Sequence, residues 1–336
     1  MLALFRNNQF TTAITLALYV GLTHLAALLG KIDTSALGIP EGGVLYRAWF
    51  DWAAAYPRWS ALAAAMLVFL QALSVNVLAD EFRLMGERNW FPGLFYALVA
   101  ACLPDFLFLS PPLVAATFLP IILRRVFRAY NQPKATALVF DAAFWTAVAA
   151  LFYPPAIFLL IAVFFSLNIM RSYTFREQMV SVAGVVVAFF LAWLWYFWGD
   201  RGWLFWGVQL GGLFHFYDFD TTFDQKTWIQ LILPGLLAVV ALLSYGAYMY
   251  RRLIQAQKCI SVLYWFWWVA GLTALLQDQP RAAHFVLMAV PLGLFMSFSI
   301  ASIQNRSLAG LLHWLMLGLV LCVQFYDELT GVLHAL

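Results

Sequence analysis

An all-helical, polytopic membrane bundle of about eleven spans is the fold class this chain predicts, and three observations predict it. Of 336 residues, 64% are hydrophobic and only 10% charged, with positive mean hydropathy, which is outside the range of soluble globular domains. Apolar runs of about 20 residues, enough to cross roughly 30 Å of hydrocarbon, recur from one end to the other. Thirteen of the nineteen Lys and Arg residues fall in alternate gaps between those runs.

The expected spans lie near 10–30, 59–79, 91–109, 111–127, 135–153, 155–170, 179–198, 228–250, 259–276, 284–302 and 308–326. The first reads as a retained helix rather than a cleaved signal, since Phe10 to Gly30 covers a bilayer and no small-residue cleavage site precedes Lys31. Pro111 and Pro112 leave almost no loop before the fourth, and Pro154 and Pro155 almost none before the sixth. A cytoplasmic N-terminus places thirteen basic residues inside against four acids, and six basic residues outside against eleven acids. That split follows the positive-inside rule and puts the C-terminus outside.

The outer face carries the long loops. In the first, residues 31–58, Leu45, Trp49, Trp52 and Tyr56 recur at helical spacing, while Arg47 and Asp51 take the other side, which predicts a short interfacial helix. The second, 199–227, is aromatic and then acidic, and its first half suits another such helix.

Several chemistries are unsupported. Cys102, Cys259 and Cys322 have no CxxC spacing, and His24, His215, His284, His313 and His334 include no HExxH pair. Neither a Walker loop nor a GxGxxG turn occurs. The net charge of +3 reflects threading rather than nucleic-acid binding.

The candidate functional residues are charged groups near spans. Asp51 suits either an acid at a site or an i,i+4 ion pair with Arg47. Asp105, after Pro104, suits either chemistry or a turn leading to Ser110. Asp141 sits inside the fifth span, about 10 Å from its edge, as a proton relay or as the partner of Arg124, Arg125 or Arg128. Arg281 and His284, one turn apart, suit a phosphate or headgroups. Asp218, Asp220 and Asp224 are spaced for a divalent cation or a solvated loop, the latter favoured because no Glu closes an EF-hand frame. The cluster Arg124, Arg125, Arg128 and Lys134 suits topology first and anionic lipid second. Two aromatic runs, Trp193 to Trp198 and Tyr264 to Trp268, read as interface belts.

Two resemblances add to this. The retained first helix, the first-loop acid Asp51 in "AWFDW", the second-loop acid Asp105 in "LPDFLFLSPP" and the late "QPRAAHFVLMAVPL" resemble the GT-C class of membrane glycosyltransferases over roughly residues 1–200. That resemblance implies a GT-C-like helical module over 1–200 followed by C-terminal helices over 201–336. It also implies a polyprenyl-phosphate sugar as partner, Asp51 and Asp105 as base or ligands of a divalent cation, and Arg281 with His284 at the donor phosphate. The paired first-loop acid of that class is absent here. Across the whole chain, "FRNNQF", "SPPLVAATF", "LFYPPAIF" and "RSYTFREQ" resemble a family of Bacteroidota inner-membrane proteins, which implies location and no particular activity.

Three functions therefore stay open: a GT-C-like enzyme or degenerate relative serving envelope glycan assembly, a transporter or flippase using Asp141, and a non-catalytic subunit that contacts other membrane proteins. All share membrane lipid as a partner. Reporter fusions at Lys134 and Thr222 are expected in opposite compartments; signals from the same compartment would overturn the threading.

Overall fold

The computed structural model describes residues 2–6, 10–32, 42–172, 174–211, 225–249, 252–275, 277 and 282–326. The chain is a helical, multi-pass membrane protein. In order, the helices are α1 Leu2–Arg6, α2 Phe10–Thr23, α3 Leu25–Leu28, α4 Val44–Phe50, α5 Trp52–Ala55, α6 Pro57–Glu81, α7 Phe91–Val99, α8 Pro111–Ala116 and α9 Leu119–Arg128. They continue as α10 Thr136–Phe152, α11 Leu159–Met170, α12 Phe175–Trp198, α13 Gly202–Gly211, α14 Gln225–Leu243, α15 Tyr245–Met249, α16 Ile254–Leu275, α17 Ala289–Ser302 and α18 Arg306–Gln324. Short 3-10 segments occupy Pro104–Leu107, Pro154–Phe158 and Ala282–Met288.

Among the described residues five helical segments are long and apolar enough to cross a membrane: Pro57–Glu81, Phe175–Trp198, Ile254–Leu275, Ala282–Ser302 and Arg306–Gln324. Shorter apolar helices lie at Thr11–Thr23, Thr136–Phe152, Pro154–Met170 and Leu231–Leu243.

Several expected spans are interrupted, and proline explains most interruptions. The residue before a proline is driven out of the helical region. Tyr56, Leu103, Ser110 and Tyr153, each preceding a proline, have ψ of 76°, 143°, 154° and 98°. The expected helix over 91–109 therefore stops at Val99 and continues as turns and the Pro104–Leu107 segment. The one over 111–127 divides at Thr117 and Phe118, just before Pro120. The first span breaks at His24, where Gly30 (φ +69°) closes α3 by letting the Lys31 amide reach the Ala26 carbonyl at 2.9 Å.

A broken helix in hydrocarbon exposes carbonyls that water cannot satisfy, so neighbouring side chains must. At the α8–α9 break the Thr117 amide turns to the Val114 carbonyl, in 3-10 fashion, and leaves the Leu113 carbonyl without its helical donor. Gln71, fully buried in mid-α6, donates to that carbonyl at 2.8 Å and to Thr117 Oγ1 at 2.7 Å. Its own carbonyl oxygen accepts from Tyr96 of α7 at 2.5 Å. Gln324, late in α18, likewise donates to the Thr23 and Ala101 carbonyls at 2.9 and 2.7 Å, serving the breaks after α2 and α7.

Lipid tails are as apolar as leucine, so packing between helices depends on close fit. The α7–α17 crossing is the closest case. A Cβ at Gly293 would lie 2.6 Å from the Tyr96 Cα, so only glycine permits the approach. Gly184 of α12 allows the same against the Phe140 carbonyl of α10, at 2.7 Å.

Contacts sort the helix ends into two faces. At one, Glu81 meets Arg124 and Arg128 at 2.6 and 2.7 Å, Arg125 meets Asp141 at 3.3 Å, and Arg171 meets Glu177 at 3.2 Å. Lys258 lies over the Tyr130 ring and Arg252 over Phe298 at the same face. At the other face α4 packs against α13, and the Pro104–Leu107 segment packs against Ala282–Met288.

The aromatic run from Tyr264 is only half the expected interface belt: Trp265 and Trp268 are exposed, and Tyr264 and Trp267 turn inward. Tyr264 is hydrogen-bonded to Tyr248 and stacked on Phe295, and Trp267 is buried, so both are bundle contacts. The earlier run does face outward, with Trp195 and Trp198 largely exposed.

Replacing Gln71 with Leu strands the Leu113 carbonyl and the Tyr96 hydroxyl. The expected loss is about 1–3 kcal/mol per buried group, read by thermal unfolding in detergent. Unchanged stability would show that the breaks are satisfied by other means.

Candidate functional site

The candidate site lies at the face opposite the basic residues and is built from the interfacial helix upward. Gly43 precedes α4 and donates its amide to the Phe152 carbonyl at 2.8 Å, which anchors the helix to the end of α10. A Cβ at Gly43 would lie 2.4 Å from the Leu151 carbonyl oxygen, so this anchor requires glycine. Tyr196 donates to the Val44 carbonyl at 2.8 Å, and Gln209 of α13 to the Ala150 carbonyl at 2.7 Å. Helices α4 and α5 bury Val44, Tyr46 and Ala53, while Trp49 (68% exposed), Trp52 and Tyr56 face outward as headgroup-depth aromatics do.

Asp51 occupies the turn between α4 and α5 and is exposed. Among the described residues no ion pair joins it to Arg47, whose Nε donates to the Gly42 carbonyl at 2.9 Å. Asp51 lies close enough to Tyr46 to act on it electrostatically. Burial first, and then this carboxylate, pushes the Tyr46 phenol above its ordinary value, which keeps it a proton donor.

Tyr46 uses that proton on the Asp105 segment. Its hydroxyl donates to the Leu109 carbonyl at 2.9 Å, while the Leu109 amide donates to Ser60 Oγ of α6 at 3.0 Å. The stretch after Asp105 is thus tied to the helix carrying Asp51. Asp105 itself sits half-buried in the first turn of Pro104–Leu107, which packs against the Ala282–Met288 segment.

His284, in that second segment, is buried, and its Nδ1 pairs with the Tyr153 hydroxyl at 2.6 Å. A headgroup-snorkelling role is therefore excluded for His284; it is an interior group. Arg281 lies outside the described residues, as do Asp218, Asp220 and Asp224.

Beneath these two 3-10 segments opens an apolar cleft of about 370 Å³. Phe106 and Phe285, next in sequence to Asp105 and His284, line it together with Pro234 and Gly235 of α14 and Trp267 and Gly271 of α16. Sites for small molecules span about 300–1,000 Å³, so this cleft has ligand size. Sequence reading missed the cleft, because nothing local relates α14 and α16 to Phe106. It also missed Tyr46 and Tyr153, although Tyr153 lies within the quoted "LFYPPAIF".

Asp141 is not part of this site. It belongs to the opposite, basic end, paired with Arg125 at 3.3 Å with its side chain 37% exposed. The contact is an ion pair without a directed hydrogen bond, since Arg125 Nε finds no hydrogen-bond partner. Among the described residues no three His, Cys, Asp or Glu side chains gather as metal ligands.

No family model matches the chain, and no curated protein does. Among solved structures, it is similar to ArnT from Cupriavidus metallidurans bound to undecaprenyl phosphate, at 14% identity and a TM-score of 0.49. It is also similar to the apo state of that protein, at 16% identity and a TM-score of 0.48. These cover 87% and 88% of this chain but 56% of theirs, so the chain spans about half the length of the solved structures it matches.

Tyr46→Phe is expected to leave the Leu109 carbonyl unpaired and to cost about 1–3 kcal/mol. Amide exchange over residues 103–110 should then rise while α9 and α10 stay protected. Unaltered exchange in that stretch would show that Tyr46 does not hold it.

Proposed function

We propose that the chain is a GT-C-like membrane glycosyltransferase, or a degenerate relative, that handles a polyprenyl-phosphate-linked sugar. The observation that carries this reading is the apolar cleft of ligand size lined by Phe106 and Phe285, which are next in sequence to Asp105 and His284 although those two do not themselves line it. A long isoprenoid tail needs an apolar recess open toward lipid, and its phosphate needs polar groups where the recess ends. In this reading Arg281 and His284 hold the donor phosphate. Asp51 or Asp105 accepts the proton of the attacking hydroxyl as the sugar's bond to phosphate breaks, and the phosphate leaves with the electron pair. The residues described do not assemble a cation site, so no step is assigned to a divalent cation.

The gathering of Arg124, Arg125, Arg128, Arg171, Arg252 and Lys258 at one face supports eleven spans, a cytoplasmic basic end and an outward-facing site. The transporter reading asks Asp141 to exchange protons, and its ion pair with Arg125 favours a structural role instead.

The test uses purified protein with undecaprenyl phosphate, and undecaprenol as the tail-only control. At about a hundred times Kd the phosphate should stabilise the fold by about 2.7 kcal/mol, and the alcohol by less. A Cβ at Gly235 meets nothing within 4 Å, so Gly235→Phe should fold normally, fill the cleft and abolish both shifts. Equal stabilisation of wild type and Gly235→Phe would overturn the reading. If binding survives, Asp51→Asn and Asp105→Asn should reduce sugar transfer without weakening it.

A further inference from the structure

We propose a second ligand site at the opposite, basic end: a groove between α6 and α9 that takes the phosphate and one acyl chain of an anionic phospholipid. The groove holds about 270 Å³ and is walled by Leu73, Ser74, Val77 and Leu78 of α6 and by Pro120 and Ile121 of α9. Arg124, Arg125 and Arg128 close its outer end. From Leu73 to Leu78 the α6 wall follows the helix axis for roughly 7.5 Å, enough for the first methylenes of an acyl chain.

The three arginines are held in place and still accessible. Glu81 draws Arg124 and Arg128 together at 2.6 and 2.7 Å, and Asp141 holds Arg125 at 3.3 Å. Their side chains remain 45%, 32% and 40% exposed for Arg124, Arg125 and Arg128. Three guanidinium groups against two carboxylates leave one positive charge unneutralised at the mouth of an apolar slot. Among the described residues no other carboxylate pairs with them, so N–H donors remain for a further anion.

Threading alone would need positive charge anywhere at this end of α9 or in the turn after it, and lysine would serve. Guanidinium forks fixed side by side above an acyl-sized groove match a lipid phosphate in charge, geometry and depth. A zwitterionic headgroup brings its own cation to the same place and fits less well. The site is independent of the cleft at the other end.

Native mass spectrometry of the full chain, titrated with phosphatidylglycerol and phosphatidylcholine of identical chains, tests this. Wild type should bind phosphatidylglycerol at least about tenfold more tightly. The triple variant Glu81→Gln, Arg124→Gln, Arg128→Gln, which leaves no stranded carboxylate, should lose that preference. Val77, 54% exposed on the groove wall, provides a second variant with every charge intact. Val77→Trp should block the chain slot and weaken phosphatidylglycerol binding by a similar factor, even if the triple variant fails to fold. Equal affinity for both lipids in wild type, or unchanged phosphatidylglycerol binding in Val77→Trp, overturns the proposal. Displacement of the lipid by millimolar inorganic phosphate would also overturn it, by showing a free-anion site in which the groove plays no part.

Discussion

The structure depends on how it satisfies main-chain groups where its helices break inside an apolar medium. An unpaired carbonyl in hydrocarbon costs several kcal/mol, and this chain places prolines where continuous spans would otherwise run. Gln71 shows the solution. One amide ties the Leu113 carbonyl, Thr117 and the Tyr96 hydroxyl together, so α6, α7 and the α8–α9 pair share a single point of attachment. Tyr96 is also the residue against which Gly293 packs, which joins α17 to the same point. A polar network and a glycine contact therefore meet at one residue. Neither would hold the bundle alone, because the hydrogen bonds fix direction and the close contact supplies dispersion.

This arrangement has a consequence for the candidate site. A helix that ran unbroken from Phe91 to Leu109 would fill the space that Val99, Cys102 and Phe106 now line. The stop at Val99 and the extended Leu103 before Pro104 turn the chain aside, and the cleft opens in the vacated volume. Tyr46 and Ser60 then hold the displaced stretch by the two main-chain groups of Leu109. Residues on both sides of the break, Val99 and Phe106, line the cleft, so the break and the ties that follow it lie beside the recess.

Much of the fold was legible, for identifiable reasons. Five of the expected spans, those near 59–79, 179–198, 259–276, 284–302 and 308–326, followed from composition, and the interfacial helix near residue 50 from the spacing of Trp49, Trp52 and Tyr56. The proline breaks were visible as crowding between segments, but their outcome was not, since Pro104, Pro111 and Pro154 state where a helix stops and not what replaces it. Asp141 was legible as a residue needing a partner, with Arg125 among the three named. The site was much less legible. Asp51 and Asp105 are recognisable as isolated acids near spans, whereas the hydroxyl linking their segments comes from Tyr46, one aromatic among 60 in the chain. His284 read as a surface group because a helix start was expected there; a 3-10 segment pressed against Tyr153 buries it instead.

The two ends of the bundle use charge in different ways, and the difference follows from what each must exclude. At the basic end each described carboxylate in an ion pair, Glu81, Asp141 and Glu177, meets an arginine, so the pairs knit α6, α9, α10 and the α11–α12 turn into a rigid rim. At the other end Asp51 has no such pair among the described residues, and the rigidity comes from hydroxyls and amides donated to main-chain carbonyls. A carboxylate neutralised by arginine is a poor base and a poor ligand, because its charge is already spent on its partner. Holding the segments at that end with neutral donors leaves Asp51 outside any ion pair among the described residues. An anchoring scheme of tyrosine and glutamine thus fixes geometry there without drawing Asp51 into an ion pair.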